Sequence, residues 1–451
     1  MTLKSSLLFA RSLIFPKAEK KSSARKSLFG ALICIGLSIV PLIVVISVTN
    51  GMINGMTERI IGLSSSHIQA YVASNCLEVK TEANYKAFAE EFKNYPGVTE
   101  TYPEIGITGL AAGKTIRTGI QIRALEGDIF SRNHYFQELF DVVEGSLEEY
   151  SRTSLLEEGA KTEKLAVVGQ KVAETLDLHA GDTFRIITTK TTNGKVSPKL
   201  SNFKVAAIVT SGYQELDALW VFIPLETAYS SISLSNASYT VMIETEDAFS
   251  PELVRSQREL QKKFSRLANF YRWNQVHAGE FENFSSTKVM LVFIMMLIVL
   301  VASINVSSAI IMLVMERKKE IAILKSIGAS PAGITLSFLI TGMACGFGGV
   351  LIGLPIGLIC SVNASKIVQF VEKIVNLIAK AGYLLKGIPA TEITAIKLMD
   401  PAYYLQEIPV DIPFGQLFLI VGATILLSLI VSIIPSVRAG REKPLDILRK
   451  S

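Results

Sequence analysis

The chain has 451 residues, of which 49% are hydrophobic and only 19% charged, a balance too apolar for a soluble enzyme of this length. The net charge of +5 is small, and the basic residues collect beside apolar runs instead of alternating with aromatics, so nucleic-acid binding has no support. The expected fold class is an α-helical membrane protein with four transmembrane helices and a large mixed α/β extracytoplasmic domain between the first and the second.

Residues 1–27 read as a basic cytoplasmic N-terminus, with Lys17, Lys20, Lys21, Arg25 and Lys26 ahead of the first apolar run. That run, Leu28 to Val48, is long enough for a hydrocarbon core of roughly 30 Å, and the lysines and arginines place its start in the cytoplasm by the positive-inside rule. No small-residue cleavage site follows, so it reads as an uncleaved span continuing into a stalk over residues 28–61. Cys34 follows Ile33, where lipoprotein processing would want a small residue, so lipidation of this chain is not expected.

Residues 62–281 are long enough to fold as a domain with its own core. "HIQAYVA" from His67 alternates like a strand, and Tyr85, Phe88, Ala89 and Phe92 share a helical face closed by Pro96 and Gly97. Two β-rich stretches around Gly113-Lys114 suggest a hairpin, and "VVGQKVAETLDLHAGD" reads as strand, short helix and turn. Thr189 to Ser201, with Asn193-Gly194 and Ser197-Pro198 between two alternating apolar runs, reads as an extended hairpin loop. Leu253, Gln257, Leu260, Phe264 and Leu267 mark a last helix. Cys76 is the only one of the four cysteines in this segment, so no disulfide within the domain is available.

A stalk and second span follow over residues 282–315, where Ser303, Asn305, Ser307 and Ser308 are polar groups that can bond a neighbouring helix or line a cavity. The third span, 334–360, places Gly342, Gly346, Gly349, Gly353 and Gly357 on one side of a helix. Such a stripe lets backbones approach in lipid, either inside one chain or between subunits. Residues 361–413 form an outer loop in which Lys366, Lys373 and Lys380 recur every seven positions, marking an amphipathic helix that lies on the membrane surface or packs on the outer domain. The fourth span is 414–434 and the basic tail is 435–451. Both termini are thus expected in the cytoplasm.

Catalytic motifs are lacking. "GLAAGKT" at Gly109 has one residue too few for a phosphate loop, His67, His134, His179 and His277 show no metal-ligand spacing, and no Gly-x-Ser-x-Gly elbow occurs. No cofactor and no metal are expected on this chain.

The connection between the second and third spans, 316–333, is therefore the most informative stretch. A charged turn from Glu316 to Glu320 precedes Ile321, Leu324 and Ile327 at helical spacing, Gly328 can end that helix, and Ser330-Pro331 can start the next. Its apolar stripe is too small to bury except against a partner or the membrane surface.

"MLVMERKKEIAILKSIGASPAGI" resembles the same connection in FtsX-like, MacB-type ABC transporter permeases, and "PSVRAGREKPLDILRK" resembles their C-terminus. Within that superfamily "LIVVISVTNGM", "ERIIGLSSSHI", "LVASINVSSAIIMLVMERKKEIAIL" and "MDPAYYLQEIPVDI" are similar to the LolC/LolE-type lipoprotein-releasing permeases nearly end to end. The resemblance implies a membrane subunit that is not itself an enzyme, in the bacterial inner membrane, paired with a second permease (a copy or a related chain). A LolD-like cytoplasmic ATPase dimer would carry Mg-ATP.

By position, Glu316, Arg317, Lys318, Lys319, Glu320, Ile321 and Leu324 would be the ATPase-coupling helix. The family's carrier-binding hook, which grips a LolA-like periplasmic carrier, maps to Lys195, Val196, Ser197, Pro198 and Lys199, here more basic and less apolar than usual. Val48, Asn50, Met52 and Asn305 are the candidates to line a lipoprotein cavity open to membrane lipid. Two other functions share these features: mechanical control of an extracytoplasmic partner, and MacB-like efflux of amphiphiles.

Overall fold

The computed structural model describes residues 3–14, 23–153, 163–192, 195–385 and 409–441. They fall into two compact units, one of Met1–Gly51, Phe284–Ile396 and Pro409–Ser451, the other of Met52–Asn283 with Lys397–Ile408. The basic C-terminal tail beyond 441 and the block from Met399 to Ile408 lie outside the described residues.

The named helices are α1 (Leu3–Ile14), α2 (Ser23–Arg59), α3 (Ala278–Glu316), α4 (Lys318–Ser326), α5 (Pro331–Val362), α6 (Ala364–Leu385) and α7 (Phe414–Arg441). Four of them, α2, α3, α5 and α7, contain windows long and apolar enough to cross a membrane. They outrun the apolar segments because neither "VTNGMINGMTER" nor "HAGEFENFSSTK" contains a proline to break the helix. Helix α1 lies in the stretch that sequence alone marks only as basic. Its Ser6, Ala10 and Leu13 are buried, and Phe9 meets Phe338 of α5 edge-on with centroids 6.3 Å apart.

In the helical unit the glycine stripe of α5 is divided between two partners. A Cβ on Gly342 or Gly346 would fall 2.1 and 2.8 Å from the Ser432 and Ser428 hydroxyls of α7. On Gly349 it would fall 2.5 Å from Ile35 of α2, on Gly353 2.6 Å from the Gly36 carbonyl, and on Gly357 2.9 Å from Ile43. The stripe thus packs inside the chain, seating α7 on its first two glycines and α2 on its last three, because only glycine lets backbones come this close. Ser428 Oγ donates to the Gly342 carbonyl at 2.9 Å across the first seam.

The other unit is built on a ten-stranded mixed sheet. Its strands are β1 (Ile68–Val72), β2 (Val98–Ala112), β3 (Arg117–Leu125), β4 (Asp141–Gly145), β5 (Leu165–Gly169), β6 (Thr183–Thr192), β7 (Lys195–Thr210), β8 (Trp220–Pro224), β9 (Ser238–Thr245) and β10 (Ala268–Arg272). The order is β10-β1-β9-β2-β3-β8-β5-β7-β4, with β6 pairing β2 and β7. Alternate residues serve opposite faces. Val221, Ile223, Val241 and Ile243 join the core that contains Phe88 and Phe92 and, from the helix Glu252–Phe264, Leu260 and Phe264. Trp220, Phe222 and Met242 join an aromatic core with Phe130, Phe136 and Phe140.

Candidate functional site

The segment between α3 and α5 folds as a short helix pinned at both ends. Helix α3 stops at Glu316, and Arg317, with φ −94° and ψ 11°, separates it from α4 while its guanidinium pairs with Glu320. Gly328 takes φ +100°, the left-handed conformation that ends a helix without Cβ strain. Ser330 Oγ then accepts from the Gly333 N–H at 3.3 Å, with Pro331 at the first helical position.

Lys325 Nζ donates at 2.5 Å to the Gly440 carbonyl in the last turn of α7, where cations suit the helix dipole. Ile321 and Ala322 are buried, and Leu324 is half-buried. The exposed apolar residues are instead Ile323 at 50% and Ile327 at 78%, flanked by exposed Lys319 and Glu320. Of the predicted coupling residues, then, Ile321 faces the bundle. Ile323, passed over in the sequence, shares the outer face with Ile327 through their i,i+4 spacing.

The second candidate region is a paired β-ribbon where the sequence suggests a loop. Strands β6 and β7 run in register from Thr183↔Lys204 to Thr192↔Lys195, and Asn193-Gly194 lie outside the described residues. Lys195, Val196, Ser197 and Pro198 are exposed, Val196 by 68%, and Lys199 is half-exposed. Pro198 is tolerated because this end of β7 pairs only with β6. Partial burial, then the like charges of Lys190 and Lys164, push Lys199 below the usual lysine range.

In the C-terminal part of α2, Asn50 Nδ2 donates to Gln416 Oε1 at 2.9 Å, and the Asp411 N–H donates to the Ser47 carbonyl at 3.2 Å. Gly51 permits this crossing, since a Cβ there would lie 2.0 Å from the Pro409 carbonyl oxygen. Asn50 and Met52 are buried and Val48 is half-buried. Asn305 lies within α3, and its side chain is outside what the structure describes.

Where α2 enters the sheet domain, Arg59 Nε donates to the Ser211 carbonyl at 2.5 Å, at the end of β7. The following turn, Ile60–Ser65, offers the Leu63 carbonyl to Arg123 Nη1. Arg123 is buried, donates to both Glu104 oxygens at 2.8 and 2.6 Å, and lies over Trp220 with its guanidinium carbon 4.6 Å from the ring centroid. Nearby, His67 Nδ1 accepts from the Thr245 N–H at 3.0 Å, so Nε2 carries the proton toward Tyr135 Oη at 2.9 Å. Burial holds His67 down to about 4, against the Asp247 charge. Burial also pushes Glu244 up to about 7, against a 2.7 Å bond from Asn133. No group of three metal-ligating side chains occurs among the described residues.

Four helices long and apolar enough to cross a membrane, a mixed-sheet domain between the first two and an amphipathic helix between the second and third, together with a match to an FtsX-like permease region, make this a bacterial membrane permease of the ABC transporter class. The sequence matches the MacB-like periplasmic core domain over residues 28–259 and the FtsX-like permease C-terminal region over 292–444, and the chain belongs to this FtsX-like, MacB-type family.

It is 24% identical over 418 residues, 92% of each chain, to the lipoprotein-releasing system transmembrane protein LolC of Neisseria meningitidis. To LolE of Haemophilus influenzae it is 22% identical over 92% of each chain. Among solved structures, it is similar to the periplasmic region of MacB from Actinobacillus actinomycetemcomitans, at 11% identity and a TM-score of 0.29, covering 50% of this chain and 95% of that one.

Proposed function

We propose that this chain is the permease subunit of an ATP-driven complex that extracts lipoproteins from the outer leaflet of the inner membrane and hands them to a periplasmic carrier. The observation that carries the reading is end-to-end similarity to relatives named for lipoprotein release, covering 92% of both chains. Extraction needs external work, because each CH₂ leaving the bilayer costs about 0.8 kcal/mol. In this reading both termini are cytoplasmic, and a LolD-like ATPase dimer binds Mg-ATP and grips α4 by Lys319, Glu320, Ile323 and Ile327.

Motion of α4 reaches α5 through the Ser330 cap and α7 through Lys325. A second permease completes the cavity, and the ribbon tip at Lys195–Lys199 meets a LolA-like carrier. Arg59 holds the base of the strand whose far end forms that tip, so the grip of α2 on β7 supports a mechanical link along the strand.

Depletion of the chain tests this directly. Lipoproteins destined for the outer membrane are expected to accumulate in the inner membrane fraction. Normal sorting together with new sensitivity to amphiphilic drugs would instead favour efflux, and normal sorting with a defect in an extracytoplasmic partner would favour mechanical regulation.

A further inference from the structure

Helix α6 starts one residue after α5 ends, with only Asn363 between them, so it begins where a membrane-length helix stops. Its 22 residues could cross a bilayer by length alone. Lys366, Gln369, Glu372, Lys373, Asn376 and Lys380 run through it from end to end, however, and so many polar groups would be costly in hydrocarbon.

At about 100° per residue these polar groups occupy one arc, and Ile367, Phe370, Val371, Ile374, Leu377 and Ile378 occupy another. All six apolar side chains are between 40% and 69% exposed. The three lysines fall within about 40° of one another, on the border beside Phe370 and Leu377. All three are exposed, whereas Glu372, the only acid, sits half-buried on the opposite border. Lysines on such a border lay their stems along apolar surface and lift the ammonium to headgroup level.

We infer that α6 is a membrane-surface helix whose lysine border binds the phosphates of anionic phospholipids on the face of the bilayer opposite α4. Charge complementarity selects this occupant: three ammonium groups against one carboxylate, aligned along the edge of an apolar arc that no described residue covers and that follows directly on a membrane-length helix. The inference is independent of what the complex transports.

Both native tryptophans, Trp220 and Trp273, belong to the sheet domain, so one added to α6 reports locally. The full-length chain carrying Phe370→Trp or Leu377→Trp is reconstituted into phosphatidylcholine vesicles containing bromine-labelled phosphatidylcholine or bromine-labelled phosphatidylglycerol. The polar-arc variant Gln369→Trp is the control. Strong quenching at 370 and 377 but weak quenching at 369 is expected, with a preference for phosphatidylglycerol of at least about fivefold, the contribution of a single lysine at an anionic surface. Combining Lys366→Gln, Lys373→Gln and Lys380→Gln should abolish the preference while leaving quenching by phosphatidylcholine in place. Equal quenching by the two lipids in the parent would overturn the headgroup assignment. Absence of quenching at 370 and 377 would show that protein covers the arc and would overturn the whole inference.

Discussion

The helical unit and the sheet domain solve the same problem, holding elements together, with different side chains. Where α5 meets α2 and α7 the close approaches are made by glycine and serine, as at Gly353 on Gly36 and Ser428 on Gly342, and the one ring pair on α5 among the described residues, Phe338 with Phe9, lies on its side toward α1. In the sheet domain they are rings on rings, with Phe130 meeting Phe136, Phe140, Tyr150 and Phe222 at centroid distances of 5.4 to 6.0 Å. The difference follows from the solvent. Water drives aromatic surface together, whereas lipid gives apolar side chains no reason to leave it, and helices there associate through close backbone packing and hydrogen bonds. The sheet domain can also afford a buried ion pair at its entrance, Arg123 with Glu104, because backbone and ring partners complete its coordination.

The strongest way to break this contrast is Gly353→Leu. Its Cβ would meet a backbone oxygen, which no rotamer change relieves, so α2 is expected to separate from α5 and the chain to lose its folded form in detergent size-exclusion chromatography. In the sheet domain Arg123→Met leaves Glu104 buried without its charge partner, and a loss of about 3–5 kcal/mol is expected in denaturant unfolding followed by tryptophan fluorescence. Adding Glu104→Gln should return part of that loss.

A smaller effect is hidden by compensation. Glu244 is held up to about 7, so its stabilising contribution is complete at low pH and fades as pH rises from its ordinary value of 4.5 to about 7. His67 is held down to about 4, so its contribution is complete above 6.5 and is lost as pH falls toward 4. Between 4.5 and 6.5 the two slopes oppose each other. In Glu244→Gln one opposing slope is removed, and stability should climb across that window more steeply than in the parent, by up to about 2 kcal/mol from the histidine, read from unfolding midpoints at stepped pH.

Ser428→Ala sharpens the membrane side of the comparison. Loss of one serine-to-carbonyl bond between helices should cost about 0.6 kcal/mol, far less than any glycine of the stripe. Smallest of all in stability is Ile327→Asp, which sits on the open face of α4 and should leave the melting temperature unchanged. On the proposed function it should nevertheless release the ATPase in copurification, whereas Ile321→Asp, buried among the helices, should damage the fold itself.

Sequence alone determined the features that depend on local chemistry. Long uncharged runs mark the four helices long and apolar enough to span a membrane, because hydrocarbon tolerates little else. Gly328, Ser330 and Pro331 announce one helix end and one helix start because their backbone and side-chain preferences act within a few residues. The periodicity of Tyr85, Phe88 and Phe92 likewise places a helix against a core. Tertiary structure decided everything that required knowing which face meets which neighbour. It gave three glycines of the stripe to α2 and two to α7, turned Ile321 inward and left Ile323 outward, and paired β6 with β7 as far as Thr192 and Lys195. It also joined Arg123 to Glu104 and Leu63, a contact no spacing could suggest. These are choices among physically similar options, made by contacts distant in the chain, and a local pattern holds no record of them.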